Sequence, residues 1–365
     1  MRAIEIEDLE EFDERAAGAT SMRGWQLQDL DLTGREQVLA GLDPSGALLL
    51  GCTLSPDVED DLRRRGALVF PTVPDVPFDA YRSHLYTAAE LYDGLDAGYD
   101  HTPDARVYAW SLSANHPRLG GTSMRDSLAM ALHDNAIDDA LAEYVDDRRI
   151  VGVMGGHDLS RADPAYADAA RLGAELVDAG LTVATGGGPG AMEAANLGAR
   201  FPDAGDALTD ALASMAQVPA FKNDIGAWAR RGIEVAATAT DAGHSLGIPT
   251  WFYGHEPPNP FPDRIAKYFR NAIREDILLR VCNAGIVFLP GAAGTVQEIF
   301  QAACENYYAP PGQRVRFVFV GTAYWTEELA VWPLLRSLGV RAGFDRCLTL
   351  LDRTDEVAAA LGQEL

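Results

Sequence analysis

Three glycine-rich turns carry the residues best suited to chemistry. They are Gly155-Gly156-His157-Asp158-Leu159-Ser160, Gly186-Gly187-Gly188-Pro189-Gly190 and Pro290-Gly291-Ala292-Ala293-Gly294-Thr295. Glycine lets a backbone approach an oxyanion with no Cβ in the way. Pro189 suits the first turn of a helix, where a missing N–H costs nothing. The N–H groups that open such a helix then face a phosphate. The expected phosphate contacts are therefore Gly187, Gly188, Gly190, Gly291, Gly294 and Thr295. Thr295 can bond a phosphate oxygen or cap its helix. Three residues on stands Glu298. T-x-x-E is the spacing of a capping box, and it also sets a carboxylate beside a phosphate loop. One turn of this kind is a weak signal, whereas several at the ends of strands mark a ligand site.

The elements that hold these turns read as alternating strands and helices. Ile150–Met154 is a compact apolar strand, followed by a helix over Pro164–Ala179 that Gly180 closes. A strand over Leu181–Thr185 runs into the second turn and a further helix. Later strands are expected at Ile233–Ala237, Gly247–Phe252, Gly285–Leu289, Val315–Val320 and Leu348–Leu351. Helices are expected at Ile265–Cys282, Thr295–Asn306 and Thr326–Ser337. This alternation predicts an α/β domain over residues 146–365, a Rossmann-like parallel sheet with helices on both faces. Residues 1–145 read as a smaller α+β module of short apolar runs divided by turns, without an internal repeat. Its last helix is expected over Ser127–Asp146, with Leu128, Leu132, Ile137, Leu141 and Val145 on one face.

Taken together, Gly186-Gly187-Gly188-Pro189-Gly190-Ala191-Met192-Glu193-Ala194 and Pro290–Glu298 resemble the LOG family, long labelled lysine decarboxylase. Its hallmarks are a GGGxxGxM-like loop and a PGGxGTxxE loop, and the resemblance covers roughly residues 149–308. It implies a phosphoribohydrolase, which cleaves the N-glycosidic bond of a nucleoside 5′-monophosphate to free base and ribose 5-phosphate. It implies no cofactor, and a homodimer or larger homo-oligomer. The family's catalytic pair is the motif Glu and an upstream Arg. Glu298 matches the first. Arg274 is carried over as the second, with Arg280 and Arg270 as fallbacks. Gly156, His157, Met192, Glu193 and Arg270 are further candidate substrate contacts. Two departures stand out. Ala292 replaces the family's second glycine, so a methyl narrows the pocket, and Gly155-Gly156-His157 replaces a Ser-rich first loop.

Other features bound the reading. Aromatic residues in Gly247–Asn259 could stack on a base or pack on the sheet. Lys267 and Arg270 could neutralise a phosphate or be solvated. His157, His255 and Glu256 lack the spacing of a helical metal motif, so no metal is expected. The formal net charge of −24 opposes a polymeric nucleic acid partner, yet a small nucleotide needs only local amides and a few cations. No apolar stretch is long enough for a membrane span, and the acidic N-terminus lacks a signal-peptide core, so a cytoplasmic protein is expected. Cys52, Cys282, Cys304 and Cys347 read as small buried hydrophobes. The rival functional reading is a nucleotide-binding regulatory protein without hydrolysis. A pyridoxal-dependent decarboxylase would need a cofactor lysine, and neither Lys222 nor Lys267 has a convincing context.

Overall fold

The computed structural model describes residues 4–114, 122–202, 205–252 and 256–362. The chain folds as two units. The first is Met1–Leu85 with Leu112–Leu141, and the second is Tyr86–Ser111 with Ala142–Leu365. Residues 86–111 thus fold with the second unit, not with the N-terminal module expected over 1–145.

The first unit contains β1 (Ile4–Ile6), α1 (Leu9–Ala16), β2 (Trp25–Gln28), α2 (Glu36–Gly41), β3 (Leu48–Leu50), α3 (Pro56–Arg64) and β4 (Leu68–Phe70). Its four strands pair in sequential order and all are parallel. Ile6 pairs with Leu27, Leu27 with Leu49 and Leu49 with Val69, and all four side chains are buried. Each partner lies about twenty residues further on, the spacing of a short solenoid coil. The expected α+β module without a repeat is therefore corrected to successive βα coils. The repeat is faint in the sequence because its shared positions, an inward strand residue, a buried helix residue and a left-handed glycine, are few and unevenly spaced. The remaining helices before the second sheet are α4 (Ala88–Leu91), α5 (Pro103–Ala114) and α6 (Met124–Val145). In α6 Ile137 and Leu141 are buried, but Leu128 is half exposed.

The second unit is built on β5 (Ile150–Met154), α7 (Pro164–Asp178), β6 (Thr182–Thr185), α8 (Ala191–Arg200), α9 (Asp206–Met215), α10 (Ile225–Ala236), β7 (Ser245–Gly247) and β8 (Arg264–Ile265). These are followed by α11 (Asn271–Val281), β9 (Gly285–Phe288), α12 (Ala293–Tyr308), β10 (Phe317–Val320), α13 (Val331–Ala342), β11 (Leu348–Leu351) and α14 (Val357–Leu361). The seven strands are parallel, in the order β11-β10-β9-β5-β6-β7-β8. Every residue of β5, β6, β9 and β10 is buried, so helices cover both faces. The fold is α/β, with parallel sheets flanked by helices. Helices α7 and α8 meet through small residues: a Cβ on Gly198 would lie 1.7 Å from the Ala170 carbonyl oxygen.

Four expected elements change. The helix expected over Thr326–Ser337 is broken: a π-helical turn spans Tyr324–Glu328, and α13 begins only at Val331. Ile233–Ala237 is not a strand: the apolar stripe of Trp228, Ala229 and Val235 continues as α10. The strand expected over Gly247–Phe252 lies earlier, as β7 at Ser245–Gly247, because Pro249 ends the ladder. The helix expected from Ile265 begins only at Asn271, since Arg264–Ile265 pairs with β7. The cysteine reading holds for Cys52, Cys282 and Cys347, whereas Cys304 is exposed. Among the described residues no helix is long and apolar enough to cross a membrane.

Candidate active site

The three turns follow β5, β6 and β9, which are neighbours in the sheet. Their carboxyl ends open into a cavity of about 720 Å³. Gly156 and His157 of the first turn line it, with Gly186 and Gly188 of the second and the whole of Pro290–Thr295. Met192, Arg274 and Glu298 also line it. Such a crevice beyond the strand ends is where open parallel sheets bind ligands.

The second turn is shaped from within. The Thr185 hydroxyl donates to Asn196 Oδ1 at 2.7 Å and accepts the Gly187 N–H at 3.0 Å. Asn259 Nδ2 donates to the same Asn196 oxygen and to the Gly188 carbonyl. The Asn259 N–H completes the clasp on the Gly187 carbonyl. Asn196 and Asn259 are fully buried, so this network fixes the turn rigidly. It also consumes the Gly187 N–H, which was expected to meet phosphate. Gly187 and Gly190 do not line the cavity. Gly190 stands at φ +74°, and a Cβ there would lie 2.4 Å from the Gly156 carbonyl oxygen.

The third turn is open. α12 starts at Ala293, with Ala292 as its N-cap and no side-chain cap. The capping-box reading of Thr295 and Glu298 is therefore replaced: Thr295 is inside the first turn. The amides that open α12 have no partner within the helix, and the helix dipole adds a partial positive charge. Gly291 is required for this geometry, because a Cβ there would stand 2.2 Å from Thr295 Oγ1. Tyr324, beyond β10, donates its hydroxyl to the Gly291 carbonyl at 2.9 Å.

Glu298 projects from the second turn of α12 and Arg274 from α11. Arg274 Nη1 stands 3.8 Å from Glu298 Oε1, and both side chains are nearly buried. Burial pushes the Glu298 carboxyl up to about 7, against the pull of Arg274 and with a further push from Glu275. A carboxyl poised there can exchange a proton at neutral pH. Arg274 Nη2 donates to Asn271 Oδ1 at 2.8 Å, while Arg274 Nε is buried without a partner among the described residues. Arg280 instead forms an exposed pair with Asp276, and neither it nor Arg270 lines the cavity.

Several candidate contacts lie elsewhere. Glu193 is buried on α8, where both oxygens bind Arg161, at 2.5 and 3.0 Å. Arg161 in turn donates to the Val218 and Trp228 carbonyls. Glu193 is thus a structural ion and not a substrate contact. Lys267 is neither a phosphate ligand nor solvated: it is buried against Asp104 at 2.5 Å. Trp251 also donates to Asp104, at 2.8 Å, and packs in the core. Of the aromatic insert, Pro249 and Thr250 reach the cavity. Tyr253, Gly254 and His255 lie outside the described residues. His157 Nδ1 pairs with Glu256 Oε1 at 3.4 Å, and both line the cavity. The described residues contain no group of three or more potential metal ligands.

Sequence reasoning missed Glu275, Gln297, Glu256 and Tyr324, which also line the cavity. Tyr324 was findable, since it follows the carboxyl end of a neighbouring strand. Asn271 and Glu275 were signalled by helical i,i+4 spacing, and their side chains bond at 2.7 Å.

No family model and no curated protein matches the chain. Among solved structures, it is similar to the molybdenum cofactor binding protein of the phototrophic bacterium Rippkaea orientalis. The identity is 17%, over 58% of this chain and 94% of that one, with a TM-score of 0.37. It is also similar to the molybdenum cofactor carrier protein of Chlamydomonas reinhardtii. There the identity is 17%, over 59% of this chain and 96% of that one, with a TM-score of 0.37. A second structure of the latter gives 19% identity and a TM-score of 0.35, over 59% and 95% of the two chains.

Proposed function

We propose that the second unit is a phosphoribohydrolase of LOG type, acting on a nucleoside 5′-monophosphate. The observation that carries this reading is the meeting of Arg274 and Glu298 beside the open N-terminus of α12. The free first-turn amides of α12, with Thr295, take the 5′-phosphate. This differs from an even division of phosphate contacts between two turns, because the Gly187 N–H is already bonded to Thr185 and neither Gly187 nor Gly190 lines the cavity.

Hydrolysis of a ribosyl–base bond passes through an oxocarbenium-like transition state. Ionised Glu298 stabilises the developing positive charge and accepts a proton from the attacking water. The water oxygen bonds to the anomeric carbon as the carbon–nitrogen bond breaks, the electron pair leaves with the base, and the base takes up a proton from solvent as Glu298 gives its own back. Arg274 orients Glu298 and donates to the ribose hydroxyls. The chemistry requires no cofactor. The reading extends to a homodimer, which sedimentation of the purified chain tests directly.

The functional test is a comparison of nucleoside 5′-monophosphates with the matching nucleosides. Base release from the monophosphates alone is expected. Equal turnover of the nucleosides would remove the role given to the α12 amides.

A further inference from the structure

The proposed reaction uses Arg274 and Glu298 and leaves a third ionisable group beside them without a role. That group is Glu275, which is 4% exposed. Both of its oxygens are engaged. Oε1 accepts from Asn271 Nδ2 at 2.7 Å and from Arg274 Nη2 at 3.3 Å. Oε2 accepts from Gln297 Nε2. Asn271 Oδ1 accepts from the same Arg274 Nη2 at 2.8 Å. One edge of the guanidinium is thereby anchored on α11. With Nη2 held there, Nη1 is left to face Glu298. Gln297 precedes Glu298 on α12, so Glu275 also ties together the two helices that carry the pair.

We infer that Glu275 is a positioning residue for this site, holding Arg274 in register with Glu298 by bridging α11 to α12. The inference rests on the reading of Arg274 and Glu298 as the reacting pair. A structural role alone would not require a charge, since glutamine keeps the shape and the acceptor for Asn271 and Arg274, and keeps the bond to α12 once the Gln297 amide turns its oxygen toward it. The charge matters because it faces Glu298 in a buried site. The groups that face Glu298 electrostatically are Arg274, Glu275 and the Cys282 thiol, which burial keeps protonated. Glu275 opposes ionisation of Glu298, while Arg274 favours it.

Glu275→Gln separates charge from shape. The full-length chain, labelled with 13C at the glutamate carboxyls, would be titrated by NMR as wild type, Glu275→Gln and Glu275→Ala. Glu298→Gln identifies the Glu298 signal. Base release from a nucleoside monophosphate panel would be followed over the same pH range. In Glu275→Gln the Glu298 carboxyl should bind its proton about tenfold more weakly, the size of effect expected for a nearby buried charge. The acid limb of base release should move to lower pH by the same factor. Glu275→Ala should add a loss of turnover with substrate affinity little changed; if that variant does not fold, Glu275→Gln carries the test. A folded Glu275→Gln with the Glu298 titration unmoved would overturn the inference. A moved titration with no base release from any variant would sink the hydrolase reading and still support the positioning role.

Discussion

Arg274 Nη1 lies 3.8 Å from Glu298 Oε1, and the two side chains come from different helices across a buried cavity wall. The distance is an electrostatic contact and exceeds a hydrogen bond. Arg274 therefore does not cancel the cost of burying Glu298, and the carboxyl rises to about 7. That balance between one cation and a dry environment shapes both the stability and the chemistry of the site.

The first consequence concerns stability against pH. Unfolded, the Glu298 carboxyl titrates at its ordinary value of 4.5, and folded it titrates at about 7. Between these values the folded state binds more protons, so this group's contribution falls as pH rises through the window and is lost above it. The span corresponds to at most about 3 kcal/mol. Glu298→Gln should match wild type in urea unfolding at pH 4, below the window, and exceed it at pH 8. Equal stability of the two proteins at both pH values would show that the carboxyl is not perturbed.

The same ionisation should govern rate. If the carboxylate form orients water and stabilises positive charge, kcat/KM falls tenfold per pH unit below about 7 and levels off above. A profile flat between pH 5 and 8 would exclude Glu298 as the titrating group.

Gly291 and Gly294 look alike in sequence and should behave differently. A Cβ on Gly291 would meet Thr295 Oγ1 at 2.2 Å and the Gly156 nitrogen at 2.9 Å, whereas one on Gly294 meets nothing within 4 Å. Gly291→Ala should cost about 1–3 kcal/mol through overpacking and weaken phosphate binding. Gly294→Ala should change stability by less than about 0.5 kcal/mol. Thermal melts with and without a nucleoside monophosphate check both, and equal effects would contradict the geometry of the third turn.

Arg161→Met removes the partner of a buried carboxylate. Glu193 is then left charged in the core, at a cost of about 3–5 kcal/mol. The melting temperature should drop sharply, while base release per folded molecule should be retained because Arg161 does not line the cavity. A variant as stable as wild type would mean that Glu193 is not ionised.

The sequence disclosed what local periodicity and turn chemistry encode. Ile150–Met154 is a five-residue apolar strand that the fold buries completely, and the glycine turns lie where strands end. It disclosed little of what depends on long-range burial. Lys267 and Glu193 are charged residues next to motifs, and only the fold shows that Asp104 and Arg161 neutralise them in the core. The clasp of Asn259 on the second turn joins residues far apart in the chain, for which no local pattern exists. Ile233–Ala237 in isolation has the look of a strand, but its neighbours extend one helical stripe through it. The coils of the first unit share only a few positions at uneven spacing, too little to show as a repeated motif.

The most direct test of the central claim is base release from AMP, GMP, IMP, CMP and UMP by wild type and Glu298→Gln, with products separated by chromatography. Wild type should release free base and ribose 5-phosphate from at least one of them. Glu298→Gln should lose about 10²–10⁴-fold in rate, the range for removing a general base. Full activity in Glu298→Gln would contradict the role of that residue. Binding of these nucleotides without release by wild type would instead favour a regulatory nucleotide-binding protein.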